Sequence, residues 1–247
     1  MKAMILAAGL GTRLRPLTND RPKALVEVSG QTLLEITLQR LASFGVRDFI
    51  INVHHFADKV IDYLAQKKNF GFRIEISRED VLLDTGGGLK KAAWFFLDGN
   101  AGDPFILHNV DVISTIDLSR MLQSHAENHA LATLAVQDRD TSRLLLFDER
   151  NELCGRQAGR DATADMVRPA TKVKALAFSG VHVISPRLLP MISEAGVFSI
   201  ITAYLRLAGQ REKIQAFRAD EYYWRDLGKP EHVLQAQIDV AKNMLQL

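Results

Sequence analysis

Cysteine is almost absent from this chain: Cys154 is the only one in 247 residues. That excludes an internal disulfide and a cluster of thiolate metal ligands, and it fits a reducing, cytoplasmic setting. An excess of either charge is also missing. Lys and Arg number 31 against 29 Asp and Glu, a formal charge of +2 spread along the chain, so no basic stripe follows a phosphate backbone and nucleic acid is not an expected partner. No stretch approaches the roughly 18 consecutive apolar residues that span a bilayer, so no membrane partner is expected either. The apolar run at the N-terminus stops at Gly9-Leu10-Gly11 and is followed by Arg13, Arg15, Arg21 and Lys23, so it is not expected to act as a secretory signal. No internal repeat and no Pro/Gly/Ser linker divides the chain. What is present, 47% hydrophobic and 24% charged residues, is enough apolar material for one large core, and a single domain over 1–247 is expected.

Short apolar runs alternate with helix-period segments through the first half, the pattern of βαβ units and a mostly parallel sheet. Strands are expected at 2–7, 49–53, 72–77 and 104–108, with helices at 31–44, 56–68 and 89–97. In the first helix Leu34, Leu38 and Leu41 recur at i, i+4 and i+7, and Gly45 stands where a C-terminal glycine belongs. Beyond Asp111 the alternation loosens. Strands are expected at 131–137, 143–147, 173–184 and 213–217, helices at 118–127, 197–207 and 231–245, and a long loop at 155–171.

Ligands of such sheets bind beyond the carboxyl ends of the strands. After the first strand the chain reads Ala8-Gly9-Leu10-Gly11-Thr12-Arg13-Leu14-Arg15-Pro16-Leu17-Thr18, then Arg21-Pro22-Lys23-Ala24-Leu25. Gly9 and Gly11 let backbone N–H groups approach an anion, and Arg13 and Lys23 add charges able to hold phosphate oxygens. A glycine turn with solvated arginines is the plainer alternative. A dinucleotide fingerprint is a second, but Leu14 occupies its third glycine position and no helix begins at once. The spacing Gly-x-Gly-Thr-Arg-Leu-x-Pro-Leu-Thr with Pro-Lys-Ala-Leu downstream resembles the sugar-1-phosphate nucleotidyltransferase family.

That resemblance implies a Rossmann-like, three-layer α/β/α sandwich with a mixed, mostly parallel sheet, a nucleotide half at about 1–112 and a sugar half at about 113–247. It implies a nucleoside triphosphate and a sugar 1-phosphate as substrates, and Mg2+ as cofactor. The nucleotide is expected against Leu6, Ala7, Ala8, Gly9, Gly11, Thr12, Arg13, Thr85, Gly86 and Gly87. The last three belong to Leu83-Asp84-Thr85-Gly86-Gly87-Gly88, whose form is similar to N-acetylmuramate-1-phosphate uridylyltransferases and related short members, including those like mannose-1-phosphate guanylyltransferases. Taken alone, that segment reads as a helix-initiating turn whose bare N–H groups can face a ligand. Asp111 ends a buried strand, where an acid needs a partner such as a divalent cation, capping of the next segment being the plainer reading. Asp226, in Trp224-Arg225-Asp226-Leu227-Gly228-Lys229-Pro230-Glu231, resembles the family's second metal ligand. Arg13 and Lys23 are the expected catalytic cations.

The sugar side departs from the family pattern. Arg143 stands where many members have a glycine, and Arg168-Pro169 and Lys172 stand near a missing Glu-Lys-Pro. Asn109, Arg143, Ser179 and Gly180 are the expected sugar contacts, and an acidic arm such as a lactyl group could pair with Arg143 or Lys172. A mannose-1-phosphate guanylyltransferase, a glucose-1-phosphate uridylyl- or thymidylyltransferase and a non-catalytic sugar-nucleotide sensor remain alternatives. A nicotinamide-dependent oxidoreductase lacks its third glycine, and a choline-phosphate cytidylyltransferase needs an aromatic cage that Trp94, Trp224, Tyr222 and Tyr223 do not clearly provide. His54-His55 and Cys154 read as structural. The left-handed β-helix of longer relatives is not expected here, and the chain is expected to be a monomer or small homo-oligomer.

Overall fold

The computed structural model describes residues 1–98 and 102–245. In its first half β1 (Lys2–Leu6) leads through a long loop to the short hairpin β2 (Glu27–Val28) and β3 (Gln31–Thr32). There follow α1 (Leu33–Ser43), β4 (Asp48–Val53), α2 (Ala57–Gln66), β5 (Arg73–Arg78), α3 (Asp84–Lys91), α4 (Ala93–Leu97) and β6 (Phe105–Asn109). The second half contains β7 (Val112–Ser114), α5 (Leu118–Glu127), β8 (Ala132–Gln137), β9 (Leu144–Phe147), β10 (Leu153–Gln157), β11 (Asp165–Met166) and β12 (Lys174–Ile184). It closes with α6 (Ile200–Gly209), β13 (Ile214–Arg218), β14 (Trp224–Asp226) and α7 (Pro230–Ala241).

Ten strands form one mixed sheet in the order β11-β10-β9-β12-β6-β1-β4-β5, with β8 pairing β12 and β13. The run β6-β1-β4-β5 is parallel throughout, and β12 joins it antiparallel to β6. Successive strand residues face opposite sides of a sheet. On β1, Ala3 and Ile5 pack with Leu34, Leu38, Val60, Met121 and Ala236 from α1, α2, α5 and α7. Met4, between them, packs with Leu89, Phe95 and Tyr204 from α3, α4 and α6. Two cores on the two faces of one sheet make the three-layer sandwich, and the apolar strands of its middle are buried on both sides, as parallel sheets require.

Four expectations shift. The helix after β5 begins at Asp84, not 89, so the glycine triplet lies inside it. The helix expected from 197 begins at Ile200, where Ser199 accepts the Ile201 N–H as N-cap. The terminal helix ends at Ala241 instead of 245. Residues 155–171 are not a plain loop: Gly155 and Arg156 pair with Met166 and Asp165, and Arg168 fixes the return through Asp148 (2.7 Å) and Glu152 (3.0 Å).

Candidate active site

A cleft of about 350 Å³ opens beyond the carboxyl ends of β1 and β6. It is lined by Leu6, Ala7, Ala8 and Gly9, by Lys23 with Asn109, Val110 and Asp111, and by Asn52, Leu82, Asp84, Thr85 and Val197. Gly11 initiates the loop's first turn at φ 66 and accepts the Thr18 hydroxyl at 2.8 Å. Its φ is left-handed and Thr18 Cγ2 lies 3.0 Å from where a Cβ would stand, so the position suits glycine alone.

Nothing in the sequence singles out Asn52 or Glu79, yet they hold one end of the cleft together. Asn52 Oδ1 accepts the Ala7 N–H at 2.7 Å, and its Nδ2 donates to Glu79 Oε1 at 2.7 Å. Glu79 Oε2 then accepts the Leu83 N–H at 2.9 Å, just before α3. Asn52 and Glu79 are both buried, and one polar network thus links β1, β4 and the start of α3.

At the other end of the cleft Lys23 forms an ion pair with Asp111. Asp226 is brought alongside by main-chain bonds: β14 pairs with β7, Asp226 opposite Val112, and the Leu227 N–H donates to the Asp111 carbonyl at 2.7 Å. A Cβ on Gly228 would lie 2.6 Å from Asp226 Oδ1 and 2.9 Å from Arg13 Nη2. Arg13 and Asp226 are therefore neighbours across that glycine. Arg13, Lys23, Asp111 and Asp226, distant in sequence, converge.

The residues expected to meet the sugar lie around an irregularity in β12. Its register with β8 shifts between Phe178 and His182, and Gly180 within it has φ 77. Any Cβ there would lie 2.8 Å from Val112 Cγ2 and 3.0 Å from Asn109 Nδ2, so the bulge and its glycine bring Ser179-Gly180 against Asn109. Two carbonyls of the bulge anchor side chains. Phe178 O accepts from Arg139 Nη2 at 2.6 Å, and Ser179 O accepts from Trp224 Nε1 at 2.7 Å. The Arg139 guanidinium sits 3.8 Å from the Trp224 ring centre, an arrangement that fills the ring face a quaternary-ammonium cage would need. Burial lowers the Arg139 pKa, against the opposing charge of Asp226. Ser179 Oγ, Asn109 Oδ1 and Arg139 Nε are buried without hydrogen-bond partners, polar atoms of the kind a polar ligand satisfies.

Several expected residues lie elsewhere. Gly86 and Gly87 are behind Thr85, and both N–H groups donate to the Phe198 carbonyl, at 2.9 and 3.3 Å, instead of facing the cleft. Their lack of a side chain admits the 196–200 segment: a Cβ on Gly86 would meet the Phe198 ring and come within 2.9 Å of Ile200 N. Thr12 is exposed on the loop. Arg143 is exposed before β9, with its N–H on Thr141 Oγ1 at 3.3 Å. Lys172 is 82% exposed and pairs with Glu149, so neither cation lines the cleft. His54 Nδ1 sits 2.9 Å from the Glu79 carbonyl, a structural contact. Cys154 is buried, and burial pushes its thiol up to about 11, which suits an unreactive side chain.

Among the described residues no group of three His, Cys, Asp or Glu gathers as a metal cage. Two aspartates with a hard, all-oxygen donor set match what magnesium takes, because that ion keeps several waters and binds through one or two carboxylates plus substrate phosphates. The residues present fit such an ion.

Fold and cleft together define an α/β protein of the nucleotide-sugar-forming type. Residues 2–144 match the Nucleotidyl transferase family, and the chain belongs to it. It is a sugar-1-phosphate nucleotidyltransferase by its relatives. An N-acetylmuramate alpha-1-phosphate uridylyltransferase of Caulobacter vibrioides is 36% identical, with 97% of each chain covered. A mannose-1-phosphate guanyltransferase of Yarrowia lipolytica is 28% identical over 95% of this chain and 62% of its own length. A solved UDP-glucose pyrophosphorylase in complex with UDP-glucose shares the fold at a TM-score of 0.77 and 19% identity, covering 98% of both chains. HddC from Yersinia pseudotuberculosis complexed with GMP-PN gives 0.73 at 21%, covering 97% of this chain and 99% of that one. Enzymes of this family generally use a divalent metal, and no helix among the described residues is long and apolar enough to cross a membrane.

Proposed function

We propose that the chain transfers a uridylyl group from UTP to the 1-phosphate of an acidic N-acetylamino sugar, of the N-acetylmuramate kind, and releases pyrophosphate. The observation that carries the reaction type is the convergence of Lys23, Asp111, Arg13 and Asp226 beside the glycine loop. The choice of UTP and of an acidic acceptor rests on the Caulobacter relative, matched along nearly its whole length.

The acceptor phosphate has a second pKa of about 6 and is mostly dianionic near neutrality, so it attacks without a general base. One of its oxygens bonds to the α-phosphorus of UTP as the bond from that phosphorus to the β-bridging oxygen breaks, and the electron pair leaves with pyrophosphate. Positioning and charge neutralisation are then the protein's tasks. The Leu6–Gly9 segment and the Asn52-supported side hold the base. Arg13 lies over the β- and γ-phosphates, and Lys23 turns from Asp111 toward the α-phosphoryl oxygens, where preorganised charge is worth most. Asp111 and Asp226 would hold magnesium, which would supply charge neutralisation at the reacting phosphates. Asn109, Ser179 and Gly180 meet the sugar.

A pyrophosphate-release screen of the four ribonucleoside triphosphates and dTTP against a panel of sugar 1-phosphates, with magnesium, tests this reading. UTP with N-acetylmuramate 1-phosphate is expected to lead. Preference for GTP with mannose 1-phosphate would replace it with the guanylyltransferase reading.

A further inference from the structure

Three half-buried arginines of this chain, Arg168, Arg206 and Arg225, each pair with carboxylates held by the fold. Arg139 does not. Among the described residues no carboxylate lies in ion-pair range of it, although acids flank it in sequence: Asp138 and Asp140 both pair outward with Arg160, at 2.6 and 3.2 Å. Its guanidinium is instead held by a carbonyl and a ring, Phe178 O at 2.6 Å and Trp224 at 3.8 Å, with Nε buried and unpartnered. Asp226 lends it an attractive charge without contact, and a desolvated cation with no carboxylate at contact distance carries a cost that an incoming anion would offset. Arg40 also lacks a carboxylate partner, but it donates to Ile116 O and stacks on Phe44, with no orphaned polar atom of its own.

Arg139 differs by what surrounds it. The bulge that anchors it also carries Ser179, whose Oγ is unpartnered, and borders Asn109, whose unpartnered Oδ1 belongs to a residue lining the cleft. Polar groups thus run from the cleft through Ser179 to a fixed cation, the layout for a sugar ring bearing an anionic arm. We infer that Arg139 is the specificity-determining residue that takes the carboxylate of an acid-bearing acceptor sugar, in the place expected for Arg143 or Lys172. Stacking on Trp224 fixes the plane of its fork, which suits two-point recognition of a carboxylate.

This inference rests on the acidic-acceptor reading, and the experiment separates the two. Wild type, R139M and R139K are compared at saturating UTP with N-acetylmuramate 1-phosphate and with N-acetylglucosamine 1-phosphate, which has the same 1-phosphate but no lactyl arm. Wild type is expected to prefer the acid. R139M is expected to lower the acid-to-neutral ratio of kcat/KM about 10- to 100-fold, the range for one charge-assisted hydrogen-bonding group, with the change mainly in KM for the acid. R139K keeps charge and stem but not the fork, and is expected to fall between the two. An unchanged ratio, whether both acceptors suffer equally or neither does, overturns the inference and assigns Arg139 to the fold or to the shared phosphate. The R139K ratio decides the matter if R139M does not fold. No acid preference in wild type overturns the acceptor reading itself, and the inference with it.

Discussion

The Leu227 N–H donates to the carbonyl of Asp111 at 2.7 Å, and this bond sets the strand that carries Asp226 beside the strand end that carries Asp111. Two carboxylates from the middle and the late part of the chain are placed by backbone pairing, not by flexible side chains. The Asp111 side chain is already committed to Lys23. A cation bound by Asp111 would have to share that carboxylate with Lys23 or displace it, and a displaced ammonium group would be free to meet phosphate oxygens.

Gly228 is the contact point between Arg13 and Asp226, and Gly228→Ala tests whether their closeness matters. The added methyl would sit 2.6 Å from Asp226 Oδ1 and 2.9 Å from Arg13 Nη2. Arg13 is exposed and can swing away, but Asp226 Oδ1 accepts the Gly228 N–H at 2.7 Å and must give up that bond, so stability should fall by about 1 kcal/mol while kcat falls about 10- to 100-fold through misplacement of charge. Steady-state pyrophosphate release and thermal melting on the same preparation check both halves.

Asn52 should matter to nucleotide binding and to the fold together. Asn52→Ala removes the acceptor of the Ala7 N–H and the donor to buried Glu79, and stranded buried polar groups cost about 1 to 3 kcal/mol each. Chemical denaturation should show a loss in that range, and the KM for the triphosphate should rise. A KM at the wild-type value would detach Asn52 from the proposed base end of the cleft.

The helix glycines are expected to act through packing. Gly86→Ala drives a methyl into the Phe198 ring and toward Ile200 N at 2.9 Å, a strain of about 1 to 3 kcal/mol. Pairing it with Phe198→Ala should recover part of the loss, because the aromatic clash is removed while the backbone contact remains. Strict additivity in a double-mutant denaturation cycle would show that the two do not touch.

Three buried histidines give stability a pH dependence of defined sign. Burial holds His182 at about 3 and His108 and His125 at about 4, below the ordinary value of about 6.5 that applies once the chain unfolds. Protons bind the unfolded chain first, so stability is full well above pH 6.5 and is lost as pH falls through that value, by about 1.2 kcal/mol for each histidine between pH 6 and 5. Denaturation midpoints across that interval measure the slope, and His182→Gln should remove roughly one histidine's share of it.

The strands and helices of the first half are legible in the sequence because burial on both sheet faces leaves continuous apolar runs, and the helices keep a 3.6 period. The loop after β1 is legible because Gly11, at φ 66 and tight against Thr18, admits no side chain. Residues whose role depends on a distant partner are not. Nothing in the sequence around Arg139 announces Trp224 or the Phe178 carbonyl, and Asn52 reads as an ordinary strand end until Glu79 meets it. Arg143 is suitable by position, yet the chain leaves it exposed before β9. The glycine triplet misleads for a similar reason: the element that needs its bareness, the 196–200 segment, lies over a hundred residues away.

The most direct measurement is pyrophosphate release from UTP and N-acetylmuramate 1-phosphate with saturating magnesium, run for wild type, Asp111→Ala and Asp226→Ala. Sugar-phosphate-dependent release by wild type and a fall of about 100- to 1000-fold in each variant, with folding intact by circular dichroism, is the predicted result. Near-normal turnover in either variant, or release that does not require the sugar phosphate, would contradict it.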